Sequence, residues 1–468
     1  MNRIVNFFKI YEHNSTIKTE IIAGITTFMA MSYILIVNSQ MFAQLGTVSY
    51  DAIYVATALS AVFGTLAIGI MANLPLAQAS GMGLNAFFVY SVCFGLGFSY
   101  ANALLVIFIN GIIFIIITAT GIREKIFEAI PHAVRISMPA GIGLFIAFLG
   151  FQDSGLIVMN ESTFVSMASF DILNGKATWA EVMPRLVSLI SLVIISVLAI
   201  RKVKGTVLWG IVGGTLVYYL LGFTIPGFYD NYFADLQLNP FKSFEAFGNE
   251  ALGKVFTEGF DFSAYLSQNS MFTLIAVFIT SELAFCMVDL FDTMGTLYGA
   301  CARGNLLTKD GHVPNFRKAL MSDALATTVG AGLGTSTITT FVEASTGVAE
   351  GGKTGFTSVV TAGLFFIALF FSPLSKLIPS CAMASSLIYV GILMMSCVKS
   401  IDWENPEESL PAFLTIVMMP FTCNISYGVA FGFFSSVLIR VFTGKMREIK
   451  AVTWIVTALF IIMFFVSN

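Results

Sequence analysis

Long apolar runs recur along almost the whole chain, with short polar breaks between them. An α-helix needs about 20 mainly apolar residues to cross the hydrocarbon core of a bilayer. Of the 468 residues, 57% are hydrophobic and 11% are charged, whereas soluble domains have about 25% charged residues. We therefore predict an all-α polytopic membrane protein in which residues 1–468 form a single integral membrane domain.

The apolar runs predict fourteen transmembrane segments. Their approximate bounds are 21–43, 51–73, 75–97, 99–120, 134–152, 184–200, 206–223, 270–300, 316–334, 337–350, 354–372, 379–398, 410–441 and 451–467. With the N-terminus in the cytoplasm, the long acidic loops 153–183 and 224–268 fall outside. The basic residues after the fourth, sixth and eighth segments then fall inside, as the positive-inside rule requires; they include Arg123, Lys125, Arg201, Lys202, Lys204, Arg303, Lys309, Arg317 and Lys318.

The C-terminal part conflicts with this orientation. Lys445, Arg447 and Lys450 fall outside if residues 410–441 cross the membrane once. Pro420 and the polar break at 423–428 could instead divide this segment into two half-crossings. The sequence leaves both interpretations open.

The two halves of the chain carry similar short patterns. Residues 78–83 in the third segment resemble residues 343–348 in the tenth, and an Ile-Pro pair precedes both the fifth and the twelfth segment. This spacing predicts two repeats of seven segments each. Because seven is odd, the second repeat must have inverted topology, a pattern in which broken helices meet at a substrate site near the midplane.

The stretch 335–352 is crowded with hydroxyl groups, glycines and carboxylates, although it lies between two strongly apolar segments. Irregular backbone is tolerated at membrane depth only where protein buries it or where it lines a cavity. The β-branched residues 337–340 favour extended structure, and the glycines that follow weaken a helix. We predict a short extended piece and then a half-helix, with Glu343 at a binding site and Glu350 in a structural role.

The eighth segment carries three carboxylates in an otherwise apolar helix, namely Glu282, Asp289 and Asp292. At about 100° per residue, Glu282 lies about 20° from Asp289 and about 80° from Asp292, so the three share one face. An ionised Asp at the centre of a bilayer costs about 2.5–3.5 kcal/mol, and such residues are by default sites for ions, protons or substrate. This face is therefore predicted to be functional.

The third segment also carries polar residues at membrane depth. Asn85 is costly there unless it is paired, and its amide could either bind the edge of a heterocycle or cap a half-helix. Phe87, Phe88 and Phe341 could stack on a flat ring, but ordinary packing is the simpler interpretation in a chain with 46 phenylalanines. Gly81 and Gly83 alone do not indicate a nucleotide-binding fold, because no strand–helix unit surrounds them.

Other sites and segments are not predicted. The six cysteines show no C-x-x-C spacing, and the three histidines lie near segment ends or in loops, so neither a metal site nor a Ser-His-Asp triad is expected. No basic tract suits nucleic acid. The first twenty residues contain no apolar run that ends in a small-residue cleavage site, so we expect no removable signal peptide.

Four separated motifs, at 20–34, 81–88, 288–297 and 343–355, resemble the nucleobase:cation symporter-2 family in the same order. The similarity is to its adenine/guanine/hypoxanthine permease branch and covers nearly the whole chain. It implies fourteen segments in two inverted repeats, with a core domain from 21–120 and 270–372 and a gate domain from 134–223 and 379–467. It also implies substrate and coupling roles for Asn85, Asp289, Asp292 and Glu343.

The chain departs from the family pattern at three positions. Ser39 and Ser80 stand where the family usually has proline, and Lys353 stands where it often has arginine. Because prolines shape a helix break, the detailed geometry of the site is expected to differ.

The resemblance therefore implies purine uptake by proton symport, and we expect it to take place across the cell (plasma or inner) membrane, without a cofactor. Substrate binding is predicted for Glu343, Asp292, Asn85, Ser345 and Phe341, and proton coupling for Asp289, Asp292 and Glu343. Sodium as the coupling ion, uracil or xanthine as the substrate, and a homodimer are left open.

Two rival functions fit the sequence less well. A carrier of sulfate or bicarbonate on the same architecture would have to bind an anion at a site lined with carboxylates, which repel it. A membrane-embedded aspartyl protease would need a second aspartate in a Gly-x-Gly-Asp motif on another helix, whereas Asp289 and Asp292 lie on the same one. We therefore do not predict an enzyme.

Overall fold

The computed structural model describes residues 2–121, 130–229, 239–303, 306–308 and 312–466. The described residues are mostly helical, at 74%. Three of the basic residues that are predicted to face the cytoplasm, Arg123, Lys125 and Lys309, lie outside the described residues.

The regular elements alternate long helices with short, irregular pieces. The α-helices are α1 (Asn2–Phe8), α2 (Ile17–Met31), α3 (Tyr33–Ala43), α4 (Tyr50–Ala72), α5 (Met82–Ala86), α6 (Tyr100–Thr120), α7 (His132–Asp153), α8 (Trp179–Ile200), α9 (Thr206–Gly222), α10 (Pro240–Ala246), α11 (Lys254–Thr257), α12 (Ser263–Leu266), α13 (Met271–Arg303), α14 (Phe316–Leu333), α15 (Ser345–Ala349), α16 (Gly355–Ala368), α17 (Ser372–Ser375), α18 (Ser380–Met394), α19 (Pro406–Thr422), α20 (Ile425–Phe442) and α21 (Ala451–Val466). The strands are β1 (Gln78–Ser80), β2 (Ile157–Asn160), β3 (Phe164–Met167) and β4 (Ile338–Thr340).

Several helices are built to cross a membrane. Within the described part of the chain, nine helical stretches are long and apolar enough to do so, and three more are apolar but shorter. This confirms a polytopic membrane protein, while the count of fourteen crossings stays a prediction. The predicted segment 21–43 is in fact two helices, α2 and α3, that meet at Ser32.

The third and tenth predicted segments are broken in the same way. Each follows a helix that ends in a left-handed residue, Asn73 (φ 53°) after α4 and Gly334 (φ 93°) after α14. Only glycine fits the second position, because an added Cβ would lie 2.7 Å from Ala251 and from the Tyr100 hydroxyl. The chain then forms a three-residue strand, β1 or β4, before it returns to helix.

These two strands cross and pair. β1 and β4 are antiparallel, with Gln78 opposite Thr340 and Ser80 opposite Ile338. Both strands are fully buried. Backbone groups at this depth must be paired within the protein, so each broken segment makes the other one possible.

One threonine completes the backbone pairing of each strand. The Thr65 hydroxyl on α4 accepts from the Gln78 N–H (3.0 Å) and donates to the Gln78 carbonyl (2.9 Å). The Thr327 hydroxyl on α14 does the same for Ile338, at 3.2 and 3.0 Å. In both halves of the chain, a threonine hydroxyl thus pairs the N–H and the carbonyl of the first residue of the short strand.

The long helices pack mainly within two groups. The first group comprises residues 17–120 and 271–371, where α14 packs on α6 and α4, and α16 packs on α4 and α2. The second group comprises residues 132–222 and 380–442, where α7 packs on α18 and α19, and α8 packs on α9. Contacts between the groups are fewer and involve α2, α3, α5 and α13 of the first group.

Residues 410–441 form two helices rather than one. α19 and α20 pack against each other along their lengths and are joined at Cys423, which is left-handed (φ 49°), and Asn424. Asn424 caps α20 by accepting a hydrogen bond from the Ser426 N–H at 2.9 Å. The structure therefore shows a turn inside this segment, while its crossing pattern stays a prediction.

The buried carboxylate of Glu20 joins α2 to the start of α16 within the first group. Glu20 on α2 is fully buried and accepts from the backbone N–H groups of Lys353, Thr354 and Thr357, at 3.0, 3.3 and 3.2 Å. The Thr357 hydroxyl donates to the same carboxylate at 2.6 Å. Glu20 thus satisfies N–H groups that the first turn of a helix leaves unpaired.

Replacing Glu20 with alanine is expected to destabilise the protein, since leaving a buried donor without an acceptor costs about 1–3 kcal/mol. Thermal unfolding of the purified protein in detergent measures this as a lower midpoint. Glu20→Gln retains one acceptor oxygen and should fall between. Glu12→Ala is the control, because Glu12 only pairs with Lys9 at the surface (3.3 Å); an equal loss in both variants would contradict the capping role.

Candidate functional site

Asp292 lies at the crossing of the two strands. α13 contacts β4, α15 and α5 as it passes this crossing. A Cβ atom added to Gly81, the residue after β1, would lie 3.5 Å from Asp292 Oδ2. From the other strand, the Thr339 hydroxyl donates a hydrogen bond to the Asp292 carboxylate. The side chain of Asp292 is partly exposed, so it borders open space rather than the sealed interior.

Glu343 reaches the same place from a different element. It lies in a 3₁₀ turn, Val342–Ala344, between β4 and α15, and it is also partly exposed. Its Oε1 accepts a hydrogen bond of 2.9 Å from the hydroxyl of Tyr33. Tyr33 is fully buried at the start of α3 and lies within electrostatic reach of both Glu343 and Asp292. Two carboxylates and one phenol therefore meet at the crossing.

Asp289 lies nearly one turn before Asp292 on α13, but it is fully buried. The Thr293 hydroxyl lies 3.3 Å from Asp289 Oδ1 and 2.8 Å from Oδ1 of Asp323 on α14. The same hydroxyl lies 3.2 Å from Thr339 Oγ1 on β4. Asp289 thus belongs to a sealed polar network that links three elements behind the crossing.

Asn85 is also sealed. Ser80 Oγ donates to Asn85 Oδ1 (2.6 Å), and Asn85 Nδ2 donates to the Ser80 carbonyl (3.3 Å). Thr335 Oγ1 donates to Ser80 Oγ (3.1 Å), and Asn38 Nδ2 donates to Thr335 Oγ1 (3.2 Å). The serine that departs from the family's proline therefore holds Asn85, which in this conformation ties β1 to α5.

The other predicted binding residues are buried in this conformation. Ser345 and Phe341 are 5% and 6% exposed. Phe87 and Phe88 pack against other phenylalanines, with ring centroids 4.6 and 4.8 Å apart. Ordinary packing is thus the observed role of the last two.

The remaining carboxylates lie away from the crossing. Glu282 is separated from Asp292 by about 15 Å along α13, given a rise of about 1.5 Å per residue. Its neighbour Cys286 donates to Asn110 on α6 at 2.8 Å and lies 3.5 Å from Glu282 Oε1. Glu350 forms a salt bridge with Lys204 at 2.6 Å, which agrees with the structural role expected for it.

Two residues of the site were missed by the sequence reasoning. Asp323 is an ionisable residue in the apolar segment 316–334, so the rule that selected the carboxylates of α13 would have found it. Tyr33 gives no comparable signal, because it is one of 14 tyrosines and its partner is 310 residues away in sequence.

The arrangement fits a ligand that offers N–H groups. Ionised carboxylates only accept hydrogen bonds, and Asp292 and Glu343 present theirs from two different elements. A carboxylate can also take up and release a proton. Among the residues that the structure describes, no group of three or more His, Cys, Asp or Glu side chains could hold a metal ion.

Comparisons with known proteins agree with one another. A family model described as "Permease family" matches residues 18–431. The adenine permease AdeP of Escherichia coli (strain K12) is 36% identical over 455 residues, covering 97% of this chain and 94% of the relative. The guanine/hypoxanthine permease PbuO of Bacillus subtilis (strain 168) is 35% identical over 463 residues, covering 98% of this chain and 100% of the relative.

A solved structure supports the fold. The transmembrane domain of BicA, a cyanobacterium bicarbonate transporter, superposes with a TM-score of 0.60 and 13% sequence identity. The match covers 90% of this chain and 97% of that one. At this identity the likeness shows the fold alone.

The half-helix after Glu343 depends on a glycine, which gives a test of the site's framework. A Cβ on Gly347 would lie 2.0 Å from Thr27 Oγ1 and 2.6 Å from the Ala23 carbonyl, both on α2. Gly347→Ala should therefore cost about 1–3 kcal/mol by overpacking, measured as a lower midpoint of thermal unfolding. Gly295→Ala on α13 is the control, because nothing lies within 4 Å of its added Cβ. Equal midpoints for the two variants would contradict the close docking of α15 on α2.

Proposed function

The chain belongs to the permease family, and on that premise we propose that it takes up the purine nucleobases adenine, guanine or hypoxanthine by proton symport. The observation that carries this proposal is the pair of partly exposed carboxylates, Asp292 and Glu343, at the crossing of two broken segments. Relatives over nearly the full length are named as adenine and guanine/hypoxanthine permeases. The membrane is proposed to be the plasma or inner membrane, with the N-terminus in the cytoplasm.

Glu343 and Asp292 bind the purine directly in this proposal. A purine base carries N–H groups along its edges, and each carboxylate accepts such a donor through a charge-assisted hydrogen bond. Asn85, Ser345 and Phe341 are proposed as further binding residues. All three are buried here, so contact with the base requires β1, α5 and α15 to shift.

Asp289, Asp292 and Glu343 are proposed to carry the coupled proton. A carboxylate holds its proton more readily in a low-dielectric site than in water. The carboxylate therefore takes up a proton while it is enclosed and releases the proton when its surroundings open to water. Thr293 and Thr339 connect the sealed Asp289 to the strand crossing. The proton therefore has hydrogen-bonding groups between the buried network and the open site.

The two packing groups are proposed to be the core and gate domains of a transporter with fourteen segments in two inverted repeats. The matching roles of Thr65 and Thr327 at β1 and β4 support such a repeat. If α19 and α20 form a hairpin that returns to the side it entered from, Lys445, Arg447 and Lys450 come to the cytoplasmic side, which removes the conflict with the positive-inside rule.

Movement of one group against the other would open the site to each side in turn. A cavity of about 190 Å³ lies between α3 of the first group and α7 and α18 of the second. Gln44 Nε2 lies 3.4 Å from Asp153 Oδ1 beside this cavity. The groups also meet through Ser91 Oγ, which donates to the Cys423 carbonyl at 3.1 Å, and through the Lys204–Glu350 salt bridge at 2.6 Å, so movement would exchange these polar contacts.

An anion carrier is the less suitable function for this fold. The fold likeness to a bicarbonate transporter concerns architecture alone. Asp292 and Glu343 at the crossing would repel an anion, whereas they attract N–H donors.

Uptake by cells that lack their own purine transport tests the proposal. Cells that express the wild-type chain should accumulate labelled adenine, guanine or hypoxanthine rather than uracil or xanthine, and a protonophore should abolish the accumulation. Accumulation that follows a sodium gradient instead would overturn the proton coupling. If no nucleobase accumulates or competes, the proposal itself is wrong.

Removing either carboxylate should reduce uptake strongly. A hydrogen bond to a charged group contributes about 1.5–3 kcal/mol, so Glu343→Ala and Asp292→Asn should lose about 10-fold to 150-fold in uptake efficiency at equal expression. Glu12→Gln is the control, because it removes a carboxylate that pairs with Lys9 at the surface (3.3 Å), away from the site. Uptake by Glu12→Gln should stay close to that of the wild type.

A further inference from the structure

Tyr33 is a buried side chain at the site to which the proposed function assigns no role. Its ring is fully buried where α2 ends at Met31 and α3 begins. A buried phenol usually needs a hydrogen-bond partner for its hydroxyl group. Here the partner is Glu343 Oε1, at 2.9 Å, so the hydroxyl acts directly on the carboxylate that is proposed to bind the substrate.

The backbone around Glu343 is already fixed by other contacts. The Ala344 N–H donates to the Phe341 carbonyl (3.2 Å), and Thr346 Oγ1 donates to the Glu343 carbonyl (2.7 Å). The freedom that remains lies in the torsions of the Glu343 side chain. Tyr33 restricts that freedom, because a hydrogen bond to one carboxylate oxygen also limits where the other oxygen can point.

The direction of this hydrogen bond matters for recognition. The phenol donates its single proton to Oε1, and an ionised carboxylate has only acceptor capacity. While Glu343 is ionised, the ligand must then supply an N–H donor, since a ligand that offers only acceptor atoms finds no partner at an ionised carboxylate. Because the acceptor is already fixed before the ligand binds, less conformational entropy is lost on binding.

We infer that Tyr33 is a positioning residue of the substrate site: its hydroxyl holds the Glu343 carboxylate in the orientation that accepts an N–H group of the nucleobase. This inference rests on the proposed function. Tyr33 does not itself have to touch the substrate, and its effect passes through Glu343.

Kinetics of uptake test the inference. Tyr33→Phe removes one oxygen atom and leaves the packing of the ring intact. KM for the preferred purine should rise about 10-fold, while the maximal rate per expressed molecule stays within about 2-fold, because the lost preorganisation weakens binding. An unchanged KM at normal expression would overturn the inference.

Tyr54→Phe is the matched control. Tyr54 on α4 is also buried, and its hydroxyl donates to the Ala368 carbonyl at 3.0 Å, a contact that does not involve the site. The two variants lose the same atom and one buried hydrogen bond each. If Tyr33 had a purely structural role, Tyr33→Phe and Tyr54→Phe would lower the midpoint of thermal unfolding equally and leave KM unchanged. That result would contradict our inference.

A double-mutant cycle shows whether Tyr33 acts through Glu343. Binding of the purine to purified Tyr33→Phe, Glu343→Gln and the double variant is measured by ligand-induced thermal stabilisation. Coupled residues give non-additive effects, so adding Tyr33→Phe to Glu343→Gln should weaken binding less than it does in the wild type. Additive effects would count against the inference.

A second substitution tests the inference even if Tyr33→Phe folds poorly. Incorporation of 3-fluorotyrosine at position 33 keeps the shape of the ring and changes the donor strength of its hydroxyl. KM should change by more than about 2-fold at position 33 and stay constant at position 54; equal responses at both positions contradict the inference. Failure of the wild type to accumulate any purine would instead refute the proposed function, so the two failures are distinguishable.

Discussion

The pairing of β1 with β4 is the interaction on which the rest of the structure depends. An unpaired backbone group in the hydrocarbon region costs several kcal/mol, so neither broken segment could enter the membrane alone. The strands pair with each other along their inner edges, and Thr65 and Thr327 pair the outward-facing backbone groups of Gln78 and Ile338. The result is a fixed crossing in a helical protein, and the site is built around it.

The acidic side chains near the crossing lie in two environments, one buried and one partly exposed. Asp289 and Asp323 are fully buried and share the Thr293 hydroxyl, whereas Asp292 and Glu343 are partly exposed. Buried charges are tolerated only when they are paired and hydrogen-bonded. The sealed carboxylates therefore have protein partners, and the exposed ones remain accessible to a ligand. Asp292 and Glu343 are therefore the carboxylates placed to meet a substrate, whereas Asp289 and Asp323 lie behind them in the protein interior.

Much of the site could be read from local sequence. Thr337–Thr340 are β-branched and 335–352 is polar between apolar segments, so an extended piece and a half-helix were predictable. Asp289 and Asp292 stand out because ionisable residues are rare in membrane helices. The split of 410–441 into α19 and α20 was only one of two interpretations, because a polar break does not show whether the chain turns back. Asn85 was expected to face a ligand, and its bonds to Ser80 are a contact that spacing alone does not reveal.

The sequence by itself determined the class of the protein, because apolar length, polar breaks and the placement of charge are local properties that a bilayer reads directly. It also indicated that the polar stretch 335–352 had to depart from regular helix. Only the tertiary structure decided how the breaks are satisfied and which carboxylates remain open. The hydrogen bond from Tyr33 to Glu343 joins residues that are 310 positions apart, and such a pairing depends on where α3 and the 3₁₀ turn after β4 come together, which no local pattern encodes.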